Sequence, residues 1–150
     1  ILFAAACYGA ATLAGADAET REAMREFGLN LGIAFQMIDD VLDYEGDPAT
    51  MGKNVGDDLT EGKPTLPLIH ALREGTAQEQ ALVRRAITAK TAEQINEVVA
   101  AVQRCGSLQY TRDQARTYHD LAMARLQQLP PSTWRDAMER VTHLSINRDH

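Results

Sequence analysis

The amino-acid sequence predicts an all-α protein. Apolar residues recur at i, i+3, i+4 and i+7 in one segment after another, the periodicity of helices that bury one face. No strand-like alternation persists anywhere along the 150 residues. Capping signals stand where the periodic segments begin: Asp17, Thr76-Ala77-Gln78-Glu79, Thr91-Ala92-Glu93-Gln94 and Ser132.

Residues 1–13 read as a buried helix, with Leu2, Phe3, Ala6, Ala10 and Leu13 among small residues that allow close helix approach. Asp17 is the expected N-cap of a long helix from 18 to about 44, with Glu19 and Glu22 favourably placed in its first turn. Its core stripe is Met24, Phe27, Leu31, Ala34, Phe35, Ile38 and Leu42. Gly28 and Gly32 interrupt it at ~1 kcal/mol each against alanine. They are either close-packing positions, against a neighbouring helix or a substrate channel, or simply tolerated. Gly46-Asp47-Pro48 ends this helix, and 51–65 is loop-rich through Gly52, Gly56, Gly62 and Pro64. Asp57 and Asp58 read as structural, capping a helical turn or pairing with a lysine.

Thr65-Leu66-Pro67-Leu68 opens the next helix, with Pro67 acceptable in the first turn. His70 on that helix reads as a packing or surface residue. The two capping boxes start helices of about 77–88 and 92–104, the second with Ile95, Val98, Val99 and Val102 as core. Gly106 stops it. Residues 107–129 follow as a helix with Leu108, Thr111, Ala115, Tyr118, Ala122, Leu126 and Leu129 at helical spacing. Pro130-Pro131 breaks this helix, and Ser132 caps a last one to about 145 that carries Trp134, Met138, Val141 and Leu144.

The length suits one domain or part of a larger one, and no linker or internal repeat divides it. Charged residues at 24% and hydrophobic residues at 45% are ordinary for a globular protein. The formal charge of −6 argues against nucleic-acid binding, which wants basic patches. It also sets a problem for an anionic ligand, one that a bound cation would solve locally. Cys7 and Cys105 lack any metal-binding spacing and read as reduced, pointing to a cytoplasmic protein. No apolar run reaches the ~18 residues of a transmembrane helix, and the apolar start carries no basic n-region of a signal peptide. The first residue is Ile, which predicts a processed product or a fragment.

The long helix ends in a run of carboxylates. Asp39 and Asp43 are four apart, Asp40 and Asp43 three apart, so all three can share one face. Like charges at that spacing repel by ~0.2–0.5 kcal/mol per pair, and no lysine is mixed in. A hard divalent cation removes the conflict. Mg2+ takes carboxylate oxygens, keeps several waters and is commonly shared with substrate phosphates. Lys53 and Lys63 follow within about twenty residues, each just after a glycine. Lysine acts toward phosphate as a flexible point charge, and glycine lets backbone approach a ligand closely. The set suits a magnesium–diphosphate complex. An acidic solvated face with ordinary surface lysines is the plain alternative.

The segment GLNLGIAFQMIDDVLDYEGDPATMGKNVGDDLTEGKPTLPLIHALREG, from Gly28 to Gly75, resembles the second aspartate-rich region of the trans-isoprenyl diphosphate synthases. FQ, DDxxD, GD, GK, GDDL and GKPTLP occur in order and at matching spacing. LDYEGD, GKNVGDDL and EGKPTLPL are most similar to the bacterial long-chain members, the octaprenyl diphosphate synthases. ILFAAACYGAATLAG resembles the family helix that precedes this region, and the family's Lys-Thr pair would lie just upstream of Ile1.

The resemblance implies an antiparallel helical bundle of the isoprenoid synthase type, of which residues 1–150 would be the C-terminal part. It implies elongation of an allylic prenyl diphosphate by isopentenyl diphosphate, with Mg2+ as cofactor and a homodimer as the usual assembly. Carried over, Asp39 would be the direct metal ligand, with Asp40 and Asp43 binding through water or orienting it. Lys53 and Lys63 would contact the allylic diphosphate. Phe35 and Gln36 would flank the reacting allyl group, and Thr65 would be a further substrate contact. Arg148 could help hold isopentenyl diphosphate, though a solvated tail is the simpler reading of it.

The sequence departs from the family in one respect. No second DDxxD precedes Asp39, and Arg84-Arg85 stands away from any such motif. The expectation is that these 150 residues do not elongate chains by themselves. The alternatives are a non-catalytic regulatory subunit or truncated relative, and a terpene cyclase, against which GKPTLP, Lys53 and Lys63 argue.

Overall fold

The computed structural model describes residues 1–45, 56–91 and 93–147. Lys53, Arg148, the helix stop at 46–48 and the start of the second capping-box helix at Ala92 lie outside those residues. The described residues form eight helices and no strand, which is the predicted all-α class: α1 Leu2–Leu13, α2 Ala18–Glu45, α3 Asp57–Glu61, α4 Leu66–Glu74, α5 Ala77–Ala89, α6 Ile95–Arg104, α7 Ser107–Leu126 and α8 Thr133–Ile146. Among them, no helix is long and apolar enough to cross a membrane.

The contacts divide the chain into two compact units. One holds Ile1–Gln36 and the chain from Gln114 onward, and the other holds Met37–Asp113. In the first unit, the α2 residues Met24, Phe27 and Leu31 bury against Ala11 of α1 and Ala122 and Leu126 of α7. The Asp17 carboxylate accepts the Thr20 N–H at 2.8 Å, which caps α2 as expected.

Two expectations fail in this unit. Helix α1 is not buried along Leu2, Phe3 and Leu13: Leu2 is 79% and Leu13 92% exposed, and Ala4 and Ala11 are the buried positions. Apolar residues run all round α1, so hydrophobicity does not choose its buried face. Size does. A Cβ on Gly28 would stand 2.4 Å from the Phe3 carbonyl oxygen and 3.0 Å from the Ala4 Cα. The α1 backbone therefore lies directly on the glycine notch of α2, which decides between close packing and tolerance at this position. In α8, Trp134, Val141 and Leu144 face outward and Thr142 is buried instead. Trp134 is 81% exposed. The Ser132 hydroxyl accepts the Arg135 N–H at 3.1 Å, as its capping role predicts.

In the second unit, α4, α5 and α6 pack on one another, and α3 packs on α5. Val41 and Tyr44 from the end of α2 join Leu59, Leu68, Ala71, Val83, Ala86, Val98, Val102 and Leu108 in one core. Thr76 and Glu79 form the predicted capping box at α5. Glu79 also pairs with Arg104 at the end of α6, and the Arg104 guanidinium, with Thr76, holds its carboxyl down at about 2. The Thr91 hydroxyl accepts the Glu93 N–H at 3.2 Å, which makes a turn there, and α6 begins later, at Ile95. Helix α7 ends at Leu126, three residues before the expected stop, because its last turn unwinds ahead of Pro130-Pro131. His70 is buried: its Nδ1 is 3.0 Å from the Ser107 hydroxyl and its ring stacks on Tyr110 at 4.2 Å.

Candidate functional site

The acidic end of α2 is held in place from two directions. Arg112 at the start of α7 makes a two-pronged ion pair with Glu45. The chain leaves α2 after Glu45 and comes back at Gly56, whose N–H donates to the Asp43 carbonyl at 3.1 Å. Helix α3 follows at once. It occupies part of the stretch expected to be loop, and it is a single turn between two glycines with positive φ, +86° at Gly56 and +73° at Gly62.

That turn brings the acidic pair and a lysine to the α2 carboxylates. The Lys63 ammonium donates to the Asp40 carboxylate at 3.1 Å and to the Asp58 carboxylate at 3.1 Å. Asp40 is buried, and the Lys63 side chain is 41% exposed. Burial pushes the Lys63 ammonium down, but its bonds to Asp40 and then Asp58 outweigh this and leave the net shift upward. The Asp58 N–H donates to Asp43 Oδ2 at 3.3 Å. Burial first, and the Asp58 charge second, push the Asp43 carboxyl up from the usual 3.8 to about 6.

Asp39 differs from its neighbours. It is half-buried and makes no side-chain hydrogen bond or ion pair with any described residue. Phe35 and Gln36 lie one turn earlier on α2. The Phe35 ring packs on Phe3 with centroids 5.6 Å apart, and Gln36 is exposed. Thr65 is buried as the N-cap residue of α4, its hydroxyl 3.5 Å from that of Tyr44. Burial pushes the Tyr44 phenol well up, so it stays protonated. The structure thus gathers Asp40, Asp43, Asp58 and Lys63. It leaves the Asp39 carboxylate without a protein partner among the described residues, and it engages Thr65 in the core.

Asp58 does pair with a lysine, one of the two structural roles expected of it. Sequence reasoning misses its place at the centre of the site. The available signal is its spacing of five residues from Lys63 across a glycine, which suits a turn that folds back on itself.

The donor set is carboxylate oxygen throughout, the chemistry of a hard cation. Among the described residues no group of three or more acidic, histidine or cysteine side chains forms a ready-made cage.

The crowding at Asp43 has a measurable consequence. A carboxyl whose pKa is raised on folding binds its proton more tightly in the folded chain, so its stability contribution is full below the unfolded value and is lost as pH rises through about 6. Asp43→Asn keeps an acceptor for the Asp58 N–H and removes the charge. In metal-free protein it should raise stability by about 1 kcal/mol above pH ~7, discounted for partial exposure, and leave it unchanged below pH ~4. Thermal melts at the two pH values check this, and equal shifts at both would contradict it.

The polyprenyl synthetase family model matches residues 1–105. Octaprenyl diphosphate synthase of Escherichia coli (strain K12) is 45% identical over 149 residues, covering 99% of this chain and 46% of the relative. All-trans-nonaprenyl-diphosphate synthase (geranyl-diphosphate specific) of Rhodobacter capsulatus is 46% identical over 147 residues, 98% of this chain and 45% of the relative. Among solved structures, polyprenyl synthase from Caulobacter crescentus CB15, complexed with calcium and isoprenyl diphosphate, superposes with a TM-score of 0.88 at 42% identity. That match covers 98% of this chain and 45% of the other. The chain spans about half the length of the curated relatives it matches.

Proposed function

This chain belongs to the polyprenyl synthetase family, and from that premise we propose that it carries the second aspartate-rich region of a trans-prenyltransferase making a long-chain, octaprenyl-type product. The all-helical isoprenoid synthase fold is that of its structural neighbours. The observation that carries the proposal is the Asp39 carboxylate, without a partner among the described residues, beside the Asp40–Lys63–Asp58 cluster, on the helix that bears the family motif. The substrates are an allylic prenyl diphosphate and isopentenyl diphosphate. A homodimer and a cytoplasmic location belong to the same proposal, and the free thiols of Cys7 and Cys105 suit a reducing compartment.

Asp39 would hold Mg2+ directly, with Asp40 and Asp43 binding through water or orienting it. The cation supplies charge that stabilises a departing pyrophosphate. Lys63, together with Lys53, holds the allylic diphosphate and stabilises the negative charge that grows as the allylic C–O bond breaks, the electron pair leaving with pyrophosphate. The double bond of isopentenyl diphosphate then forms the new C–C bond, and loss of a proton completes a five-carbon extension. Phe35 and Gln36 flank the allyl group, and Thr65 supports the diphosphate contact through its place ahead of α4. The half-exposed Lys63 ammonium and the surplus of carboxylates around it support these roles: the site is short of positive charge until a cation arrives. The Caulobacter relative, crystallised with calcium and isoprenyl diphosphate, supports the same ligand chemistry.

The test is prenyl transfer by protein that carries this chain together with the first aspartate motif, with labelled isopentenyl diphosphate and farnesyl diphosphate, with and without EDTA, products resolved by length. Chelator-sensitive elongation to about eight units is the expected result. Absence of turnover from folded protein that carries both aspartate motifs would sink the proposal. These 150 residues by themselves are expected to give no elongation, and substantial magnesium-dependent turnover by them would overturn that part.

A further inference from the structure

We infer that Asp58 is a positioning residue: its carboxylate, with that of Asp40, fixes the Lys63 ammonium so that one N–H is presented outward to a diphosphate. The inference rests on the prenyl-transfer reading and assigns a role that DDxxD and the glycine-linked lysines do not include.

An ammonium has three donors. Asp40 and Asp58 take two of them, each at 3.1 Å. No other described residue takes the third. Tetrahedral geometry at Nζ then points that N–H away from both carboxylates, and the Lys63 side chain is 41% exposed. A lysine stem carries roughly 2 kcal/mol of rotamer entropy, and a ligand that had to order it would bind more weakly. Two anchors meet that cost before the ligand arrives.

The backbone explains how Asp58 reaches Lys63. The Gly62 N–H donates to the Leu59 carbonyl at 3.0 Å, and the Lys63 N–H to the Asp58 carbonyl at 2.9 Å. With Gly62 at φ +73°, this is the paired closure of a helix that ends on a left-handed residue. It folds Lys63 back over the start of its own turn. A side chain at Gly62 would meet Lys90 Cε at 2.8 Å as well as the unfavourable φ, so the closure is specified twice. On its other side Asp58 bonds the Asp43 carboxylate through its N–H. One residue thus ties the lysine to the acidic helix end by both side chain and backbone.

Acceptor and charge can be separated. Asp58→Asn keeps an acceptor for the ammonium and drops the charge, whereas Asp58→Ala drops both. The measurement is the affinity of inorganic pyrophosphate in the presence of Mg2+, by calorimetry on protein that carries both aspartate motifs, with steady-state kinetics alongside. Asp58→Ala is expected to weaken pyrophosphate about tenfold, with the loss in KM for the allylic substrate exceeding that in kcat. Asp58→Asn should stay within about twofold of the unsubstituted protein. In a Lys63→Met background, Asp58→Ala should cost nothing further. Equal behaviour of the asparagine and alanine variants, or an alanine effect that persists without Lys63, would overturn the inference and leave the prenyl-transfer reading intact. If the unsubstituted protein binds no pyrophosphate with Mg2+, that reading falls and the inference with it.

Discussion

In protein that carries both aspartate motifs, Asp39→Ala is expected to lower kcat for prenyl transfer by about 10²–10³-fold, the scale on which loss of one charge-stabilising group is felt. The Mg2+ concentration needed for half-maximal rate should rise as well. Stability should not fall. Asp39 makes no side-chain contact of hydrogen-bond or ion-pair type with a described residue, and removing one of three like charges from a helix face is worth a few tenths of a kcal/mol in the favourable direction. The combination separates a ligand from a structural residue. Asp40→Ala should lose activity and stability together, because it leaves the Lys63 ammonium with one anchor in place of two. Steady-state assays across a magnesium titration, paired with thermal melts, read both quantities. An Asp39→Ala enzyme with unchanged magnesium dependence would remove Asp39 from the metal site.

Gly28→Ala is expected to be the most damaging small substitution in the first unit. The new methyl would enter the α1 backbone, 2.4 Å from a carbonyl oxygen that cannot swing aside. Overpacking of this kind costs ~1–3 kcal/mol, against a gain of ~1 kcal/mol in helix propensity. A net loss of up to about 2 kcal/mol corresponds to a fall of up to roughly 4–8 °C in Tm for a chain of this size. Gly32→Ala supplies the control. Its methyl would stand 3.2 Å from Phe3 Cβ, Cγ and Cδ2, a gap that a small shift opens, so Tm should fall less than for Gly28→Ala. Equal Tm changes for the two variants would mean that α1 does not rest on Gly28.

The long helix was legible because its signals agree. A capped start at Asp17 and an apolar stripe over about five turns leave one solution, and α2 extends only one residue beyond the expected end. The capping box at Thr76 was legible for the same reason, being a local pattern whose partners lie three residues apart. Thr91 shows the limit of that logic. The same pattern closed a turn there, because the side-chain bond formed to Glu93, two residues on, and not to the third.

The buried faces of α1 and α8 were not legible. Burial there depends on which neighbour arrives: Gly28 selects Ala4 over Leu2, and Thr142 is buried while Trp134 is not. At the site, spacing alone marked Asp39, Asp40, Asp43 and Lys63. It could not mark Asp58 as the link between them, since that depends on one helical turn closing at Gly62.

The outward Trp134 makes α8 a built-in optical reporter. It is the chain's single tryptophan, and its indole is already hydrated in the folded state. Unfolding therefore moves it between two wet environments, and intrinsic fluorescence will report the melting of these helices poorly. Anything that settles over α8 will dry the ring and shift its emission to the blue. The same spectrum that is nearly silent about denaturation is thus a sensitive gauge of association along this helix.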